Sequence, residues 1–200
     1  MLSNMSAETK KNKKRKIAWG ITGSGDKLAE TIEVMKQIKT EYEKTVKIEV
    51  YLSKAGSLVL KYYKVEDFLK ENFEKILVEL NSNSPFLAGW LQTRKYEFLL
   101  IAPATSNTVA KISIGVADTL LSNAAIMALK AFVPVYIVPS DYREGIVYTK
   151  LPDGQDMKLR IRKEDTENVR KLEQMEGVSV LENPQEIREV FEKRLGHVQT

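Results

Sequence analysis

Short apolar runs that end in turns of glycine, serine and threonine, each followed by apolar residues at helical spacing, limit most tightly what this chain can fold into. Ile17-Ala18-Trp19-Gly20-Ile21 enters Thr22-Gly23-Ser24-Gly25-Asp26, after which Leu28, Ile32, Met35 and Ile38 recur every three or four residues. Residues 46–52 alternate and lead to Ser53-Lys54-Ala55-Gly56-Ser57, and residues 76–80 form a third run. Phe98-Leu99-Leu100 continues into Ile101-Ala102-Pro103, and residues 133–139 are closed by Pro139-Ser140-Asp141. Strands alternating with helices predict an α/β fold, a three-layer doubly wound parallel sheet with helices on both faces. In such sheets ligands bind at the carboxyl ends of the strands. The turns at 22–25, 53–57, 81–89, 105–108 and 139–141 then share one edge.

The chemistry of these turns suits an anion. Glycines let backbone approach a ligand closely, and the hydroxyls of Thr22 and Ser24 stand at the positive end of a helix dipole. The spacing matches neither the dinucleotide fingerprint nor a P-loop with its lysine. Ser53 is placed either to cap the next helix or to meet the same phosphate from the neighbouring strand end. Ala104-Thr105-Ser106-Asn107-Thr108 is a strand-to-helix turn in which backbone N–H groups lie free.

Residues 109–131 are helical in pattern, with a break at Gly115. Residues 146–151 and 157–161 flank Pro152-Asp153-Gly154-Gln155, a hairpin signal. Lys158, Arg160 and Arg162 alternate, and on a strand they form one basic row. That row is either a solvated face or a docking site for an acidic protein or an anionic substrate. A charged helix over 164–175, an edge strand over 178–181 and a closing helix opened by Pro184 complete the chain. The organisation expected is a disordered basic arm over 1–15 and a single domain over 16–195, with the hairpin at about 146–162 as an appendage.

Composition removes several chemistries. Of the charges behind the net +4, six cations (Lys10, Lys11, Lys13, Lys14, Arg15, Lys16) precede residue 17 against the single acid Glu8, so the rest of the chain is near neutral. No aromatic residues interleave that arm to stack on bases, and nucleic-acid binding is not expected. Cysteine is absent and the one histidine is His197, so thiolate nucleophiles, a histidine-based triad and a multi-histidine metal site are unavailable within one chain; no metal is expected. No apolar run reaches the roughly 18 residues of a membrane span and no signal-peptide segment follows the basic start, so a soluble, cytoplasmic protein is expected.

Pro103-Ala104-Thr105-Ser106-Asn107-Thr108 resembles the P-A-S-A-N-T motif of the homo-oligomeric flavin-containing cysteine decarboxylase superfamily, and Gly115-Val116-Ala117-Asp118-Thr119-Leu120-Leu121-Ser122 resembles its continuation. Ala18-Trp19-Gly20-Ile21-Thr22-Gly23, Ser84-Pro85-Phe86-Leu87-Ala88-Gly89 and Thr149-Lys150-Leu151-Pro152 with Lys158-Leu159-Arg160-Ile161-Arg162 are similar to its archaeoflavoprotein and dihydromethanopterin reductase branch. The resemblance spans residues 16 to 192. It implies a flavodoxin-like (Rossmann-like) fold binding FMN, with the flavin at subunit interfaces of a homo-oligomer, a trimer or a multiple of trimers. By motif, Gly23, Ser24 and Gly25 would contact FMN and Ser53 its phosphate. Thr105, Ser106 and Thr108 would line the phosphate and ribityl region, with Asn107 in the motif's substrate-holding place. Ser84, Pro85, Ser122, Asn123, Ser140 and Asp141 are further candidate flavin or substrate contacts.

Departures from the pattern narrow the chemistry. The decarboxylases' histidine after the third strand is missing from residues 75–92, and their P-x-M-N-x-x-M motif is replaced by Pro139-Ser140-Asp141-Tyr142. Decarboxylation is therefore not expected. Flavin prenyltransferases carry an arginine where this chain has Asn123, which removes a bidentate phosphate donor. The expectation is an FMN-dependent oxidoreductase that accepts electrons from a donor such as ferredoxin and reduces an acceptor such as dihydromethanopterin or a related pterin. A prenyltransferase-like enzyme and a non-catalytic FMN-binding module are the alternatives.

Overall fold

The computed structural model describes residues 14–196; His197 and all but the last residues of the expected basic arm lie outside them. The chain runs β1 (Arg15–Ile21), α1 (Leu28–Glu41), β2 (Val46–Leu52), α2 (Lys54–Tyr62), α3 (Glu66–Asn72), β3 (Ile76–Val78), α4 (Leu87–Gln92), β4 (Leu99–Ala104), α5 (Ser106–Ser113), α6 (Leu120–Lys130) and β5 (Val135–Pro139). It continues through the hairpin β6 (Gly145–Lys150) and β7 (Asp156–Ile161), then α7 (Lys163–Glu173), β8 (Val178–Val180), a 3-10 turn (Pro184–Glu186) and α8 (Ile187–Leu195). Six strands form one parallel sheet in the order β3-β2-β1-β4-β5-β8. The order reverses between β1 and β4, where a doubly wound sheet opens its crevice. No helix among the described residues is long and apolar enough to cross a membrane.

Strand alternation divides the core into two layers. Ile17, Trp19 and Ile21 of β1 join Val50 and Leu52 of β2 against α1, where Leu28, Ile32, Met35 and Ile38 are buried as their spacing predicts. Phe191 of α8 packs there against Trp19, Tyr42 and Phe98. On the opposite face Ala18, Leu99, Ile101, Val135 and Ile137 meet α4, α6 and α7. Gly20 belongs to this face, and a side chain there would come within 2.6 Å of Leu121, so its absence lets α6 lie close on the sheet.

The second layer also holds a buried acid. Glu49 of β2 is paired with Lys16 at 3.1 Å and Lys75 at 2.5 Å, and accepts hydrogen bonds from the Tyr51 hydroxyl at 3.3 Å and from Tyr96. Lys75 in turn lies over the Trp90 ring, 4.2 Å from its centre. Burial pushes the Glu49 carboxyl up, but the donors from Lys75, Tyr96 and Lys16 outweigh it and hold the group at about 2.

Several boundaries differ from the sequence expectation. The first strand begins at Arg15, inside the expected arm, because its N–H pairs with Thr45 and its guanidinium reaches the carbonyl of Leu195 at the end of α8. The third strand stops at Val78 instead of 80, since Leu80 turns back to hydrogen-bond Ser84. The hairpin forms a separate two-stranded sheet in which Lys158 faces Tyr148 and Arg160 faces Ile146. Arg162 does not extend the basic row. It lies past β7 at the start of α7, where its guanidinium binds Asp165 at 2.6 Å and 2.9 Å.

Candidate functional site

Because the sheet is parallel, the turns after β1, β2, β3, β4 and β5 all open at one edge. The tightest junction joins the β1 and β4 turns. The Thr22 hydroxyl donates to the Pro103 carbonyl at 2.8 Å and accepts from the Thr105 N–H at 2.8 Å. Thr22 is buried, so its hydroxyl is a brace between the two turns and not the phosphate donor its position in the sequence offers. The β2 turn is drawn in by close packing. A side chain on Gly23 would meet Ala55 at 2.5 Å, and one on Gly56 would meet the Ile21 carbonyl at 2.5 Å.

Around this junction the N–H groups of Gly23, Ser24 and Gly25 have no hydrogen-bond acceptor among the described residues. Across from them α5 begins at Ser106, capped by Thr105, whose side chain accepts from the Thr108 N–H at 3.3 Å. The free N–H groups of its first turn add to the same electropositive concavity, an arrangement that holds an oxyanion without a basic side chain. Ser53 caps α2 by accepting from the Gly56 N–H at 2.9 Å. Capping leaves the hydroxyl proton available to a ligand, so both roles open in the sequence are compatible.

Ser140 and Ser24 are hydrogen-bonded at 2.6 Å, which ties the β5 turn to the β1 turn. Ser106 donates to Asp141. Asn107 is exposed, and its side-chain amide makes no hydrogen bond to the described residues. Lys27 is the cation nearest the glycine turn in sequence, but its ammonium is pinned by the carbonyls of Pro139 at 2.7 Å and Glu182 at 2.8 Å. Burial lowers its pKa, while Asp26 and Glu182 oppose that shift; burial likewise raises Asp26.

The remaining candidates form a second wall. Asn123, buried on α6, donates to the Ser82 carbonyl at 2.8 Å and to Asn83 at 3.1 Å, holding the 81–84 turn that presents Ser84 and Pro85. Ser122 is fully buried, and its hydroxyl and that of Thr119 close the capping box of α6 at 2.8 Å. Its hydroxyl is committed to the helix start and is withheld from a ligand.

One residue that sequence reasoning passed over connects the two walls. Glu79, buried at the end of β3, accepts from the Lys54 N–H of α2 at 3.1 Å and from the Leu120 N–H of α6 at 3.0 Å. A carboxylate at two helix N-termini is favoured by both dipoles. The only trace in the sequence is an acid at the end of an apolar run, immediately before the polar 81–84 loop.

The site thus gathers unpaired backbone N–H groups and small hydroxyls at the switch point of a doubly wound sheet, the kind of place where α/β proteins hold a phosphate-bearing cofactor. The chain belongs to the Flavoprotein family, whose model matches residues 5–200. It is 49% identical over 180 residues to the uncharacterized protein MJ0730 of Methanocaldococcus jannaschii, covering 90% of this chain and 96% of the relative. It is 35% identical to a dihydromethanopterin reductase (acceptor) of the same organism, with 90% and 96% covered. Among solved structures, Burkholderia xenovorans DmrB in complex with FMN, described as a cubic protein cage for redox transfer, superposes with a TM-score of 0.76 at 30% identity, covering 92% of this chain and 96% of that one.

Proposed function

We propose that this protein is an FMN-dependent oxidoreductase that takes electrons from a donor protein such as ferredoxin and delivers them to a reduced pterin of the dihydromethanopterin type. The observation that carries the reading is the run of three unpaired N–H groups at residues 23–25, held opposite the start of α5 by the Thr22 brace. Those groups, with Ser53, Thr105, Ser106 and Thr108, would hold the FMN phosphate and ribityl chain. Asn107, free and exposed, would orient the ring or the acceptor. Ser84, Pro85 and Asn123 would bound the second wall, with Ser140 and Asp141 at the rim.

FMN would supply the electron and hydride chemistry, so a chain without cysteine need provide only binding, orientation and exclusion of water. The names of the dihydromethanopterin reductase and of the FMN-bound cage support both cofactor and acceptor class. A homo-oligomer built from trimers is part of the same proposal. Val78, Leu80 and Phe86 stand exposed around the 81–84 turn, an apolar surface beside the crevice that a neighbouring subunit would cover.

Titration of the purified protein with FMN should quench flavin fluorescence at a ratio of one FMN per chain. Anaerobic addition of reduced ferredoxin should bleach the bound flavin, and dihydromethanopterin should restore its absorbance. Failure to take up FMN overturns the reading at its root, whereas uptake without reoxidation by a pterin overturns only the acceptor.

The hairpin is proposed as the donor's docking site. Reversing both Lys158 and Arg160 to glutamate should slow reduction by ferredoxin roughly tenfold at low ionic strength, with the gap closing as salt is raised. Arg162→Gln should leave that rate near the original, because the Arg162 guanidinium is already spent on Asp165. Equal rates for the charge-reversed and original proteins would return the row to a solvated face.

A further inference from the structure

The hairpin of β6 and β7 is hydrogen-bonded to the body of the protein at one point. Its strands satisfy each other, from Gly145 against Ile161 to Lys150 against Asp156, and the turn closes from the Leu151 N–H to the Gln155 carbonyl at 2.9 Å. Among the described residues a single hydrogen bond joins residues 145–161 to the rest of the chain: the Tyr63 hydroxyl donates to the Lys150 carbonyl at 3.3 Å. Of the two strands only Val147, Thr149, Met157 and Ile161 are half-buried.

The same hydroxyl lies against the anion cradle. Tyr63 follows the last residue of α2, its N–H closing that helix onto the Val59 carbonyl at 2.9 Å. A side chain on Gly25 would run into the Tyr63 hydroxyl and ring edge, so the phenol rests on the last of the three residues whose N–H groups are unpaired. Burial, with Tyr62 and Asp26 close by, pushes the hydroxyl above its ordinary value, so it carries its proton at neutral pH. The ammonium of Lys27 is held by two carbonyls, which leaves the phenol as the donor beside Gly25 that a phosphate can recruit.

We infer that Tyr63 is a phosphate-binding residue of the flavin site, and that its one proton passes from the Lys150 carbonyl to the phosphate when the cofactor enters. The inference rests on the FMN reading above. A phenol has one O–H and cannot donate fully to both acceptors. A hydrogen bond to a phosphate oxyanion is shorter and about twice as strong as one to a neutral carbonyl, and the bond to Lys150 is long at 3.3 Å. The exchange therefore favours the phosphate, and the hairpin gives up the hydrogen bond that ties it to the body. Coupling of this kind is reciprocal: a hairpin pinned to Tyr63 weakens cofactor binding by the factor with which the cofactor loosens the hairpin. The face carrying Lys158 and Arg160 is thereby released in the protein that holds a flavin to be reduced.

Equilibrium titration of the original chain and of Tyr63→Phe with FMN and with riboflavin, which lacks the phosphate, tests the contact. Loss of the hydroxyl should raise the dissociation constant for FMN about tenfold and leave that for riboflavin within about twofold, a difference that a packing role would not produce. Limited trypsin digestion followed by mass spectrometry reads the exchange at Lys150, Lys158 and Arg160. FMN should speed cleavage there about threefold or more in the original chain, and riboflavin should not. Tyr63→Phe should be cleaved at the faster rate with or without FMN. Unchanged FMN affinity in Tyr63→Phe, or an equal loss for both flavins, overturns the phosphate contact. Cleavage of the original chain that FMN slows or leaves unchanged overturns the exchange. An original chain that binds neither flavin overturns the flavin reading and this inference with it, whereas each of the other failures touches the inference alone.

Discussion

Replacing Glu49 with leucine should lower the free energy of unfolding by about 3–5 kcal/mol, the cost of removing one partner from a buried ionic group and leaving the others uncompensated. Lys16, Lys75, Tyr51 and Tyr96 all converge on that carboxylate, and among the described residues neither lysine pairs with another acid. Urea denaturation followed by circular dichroism would measure the loss. A change below about 1 kcal/mol would show that the two lysines simply swing out to solvent. The same group gives the fold an acid limb. Its carboxyl is held near 2 against an ordinary value of 4.5, so its stabilisation is present above about pH 4.5 and is lost as the pH falls towards 2. The interval corresponds to roughly 3 kcal/mol. The leucine variant should therefore show a flatter stability profile across that window than the original protein.

The second large effect is expected in cofactor binding. Gly23→Val should raise the dissociation constant for FMN about a hundredfold or more, the scale on which a displacement of about 1 Å disables a site. The new side chain would start 2.5 Å from the Ala55 side chain and 3.2 Å from the Ala55 backbone, so the glycine turn and the start of α2 must separate. Overpacking at such a junction costs about 1–3 kcal/mol of stability, leaving the protein folded. Fluorescence titration at a temperature well below the variant's own melting point distinguishes the two contributions. Affinity equal to the original would move the phosphate away from residues 23–25.

What the sequence revealed followed the strength of local signals. The strands β1, β2, β4 and β5 were legible because buried parallel strands read as unbroken apolar runs. The break at Gly115 was legible because α5 ends at Ser113 and Gly115 has φ of 77°, a backbone state that glycine adopts freely. The six-residue α4 went unread, since Leu87–Gln92 is too short for helical periodicity to declare itself.

Candidate residues could be named by their chemistry, but the hydrogen-bond partners of their hydroxyls could not be read from the sequence. Thr22, Ser24 and Ser122 are equally plausible hydroxyl donors in one dimension. Thr22 proves to be a brace, Ser24 a partner of Ser140 and Ser122 part of a cap, because their hydrogen-bonding partners lie on other elements or on the same helix start. Glu49 and Glu79 were invisible for the same reason. An acid within an apolar strand gives no local hint of lysines, tyrosines or helix starts that reach it from elsewhere in the chain.

The carboxylate of Glu79 has a geometric consequence. One side chain joins the beginnings of α2 and α6, accepting from a backbone N–H of each. The separation of those two helix starts is therefore set by the length of a single acidic side chain. Aspartate, one methylene shorter, could keep both backbone donors only by drawing the helices together, and glutamine would turn an N–H against one of them.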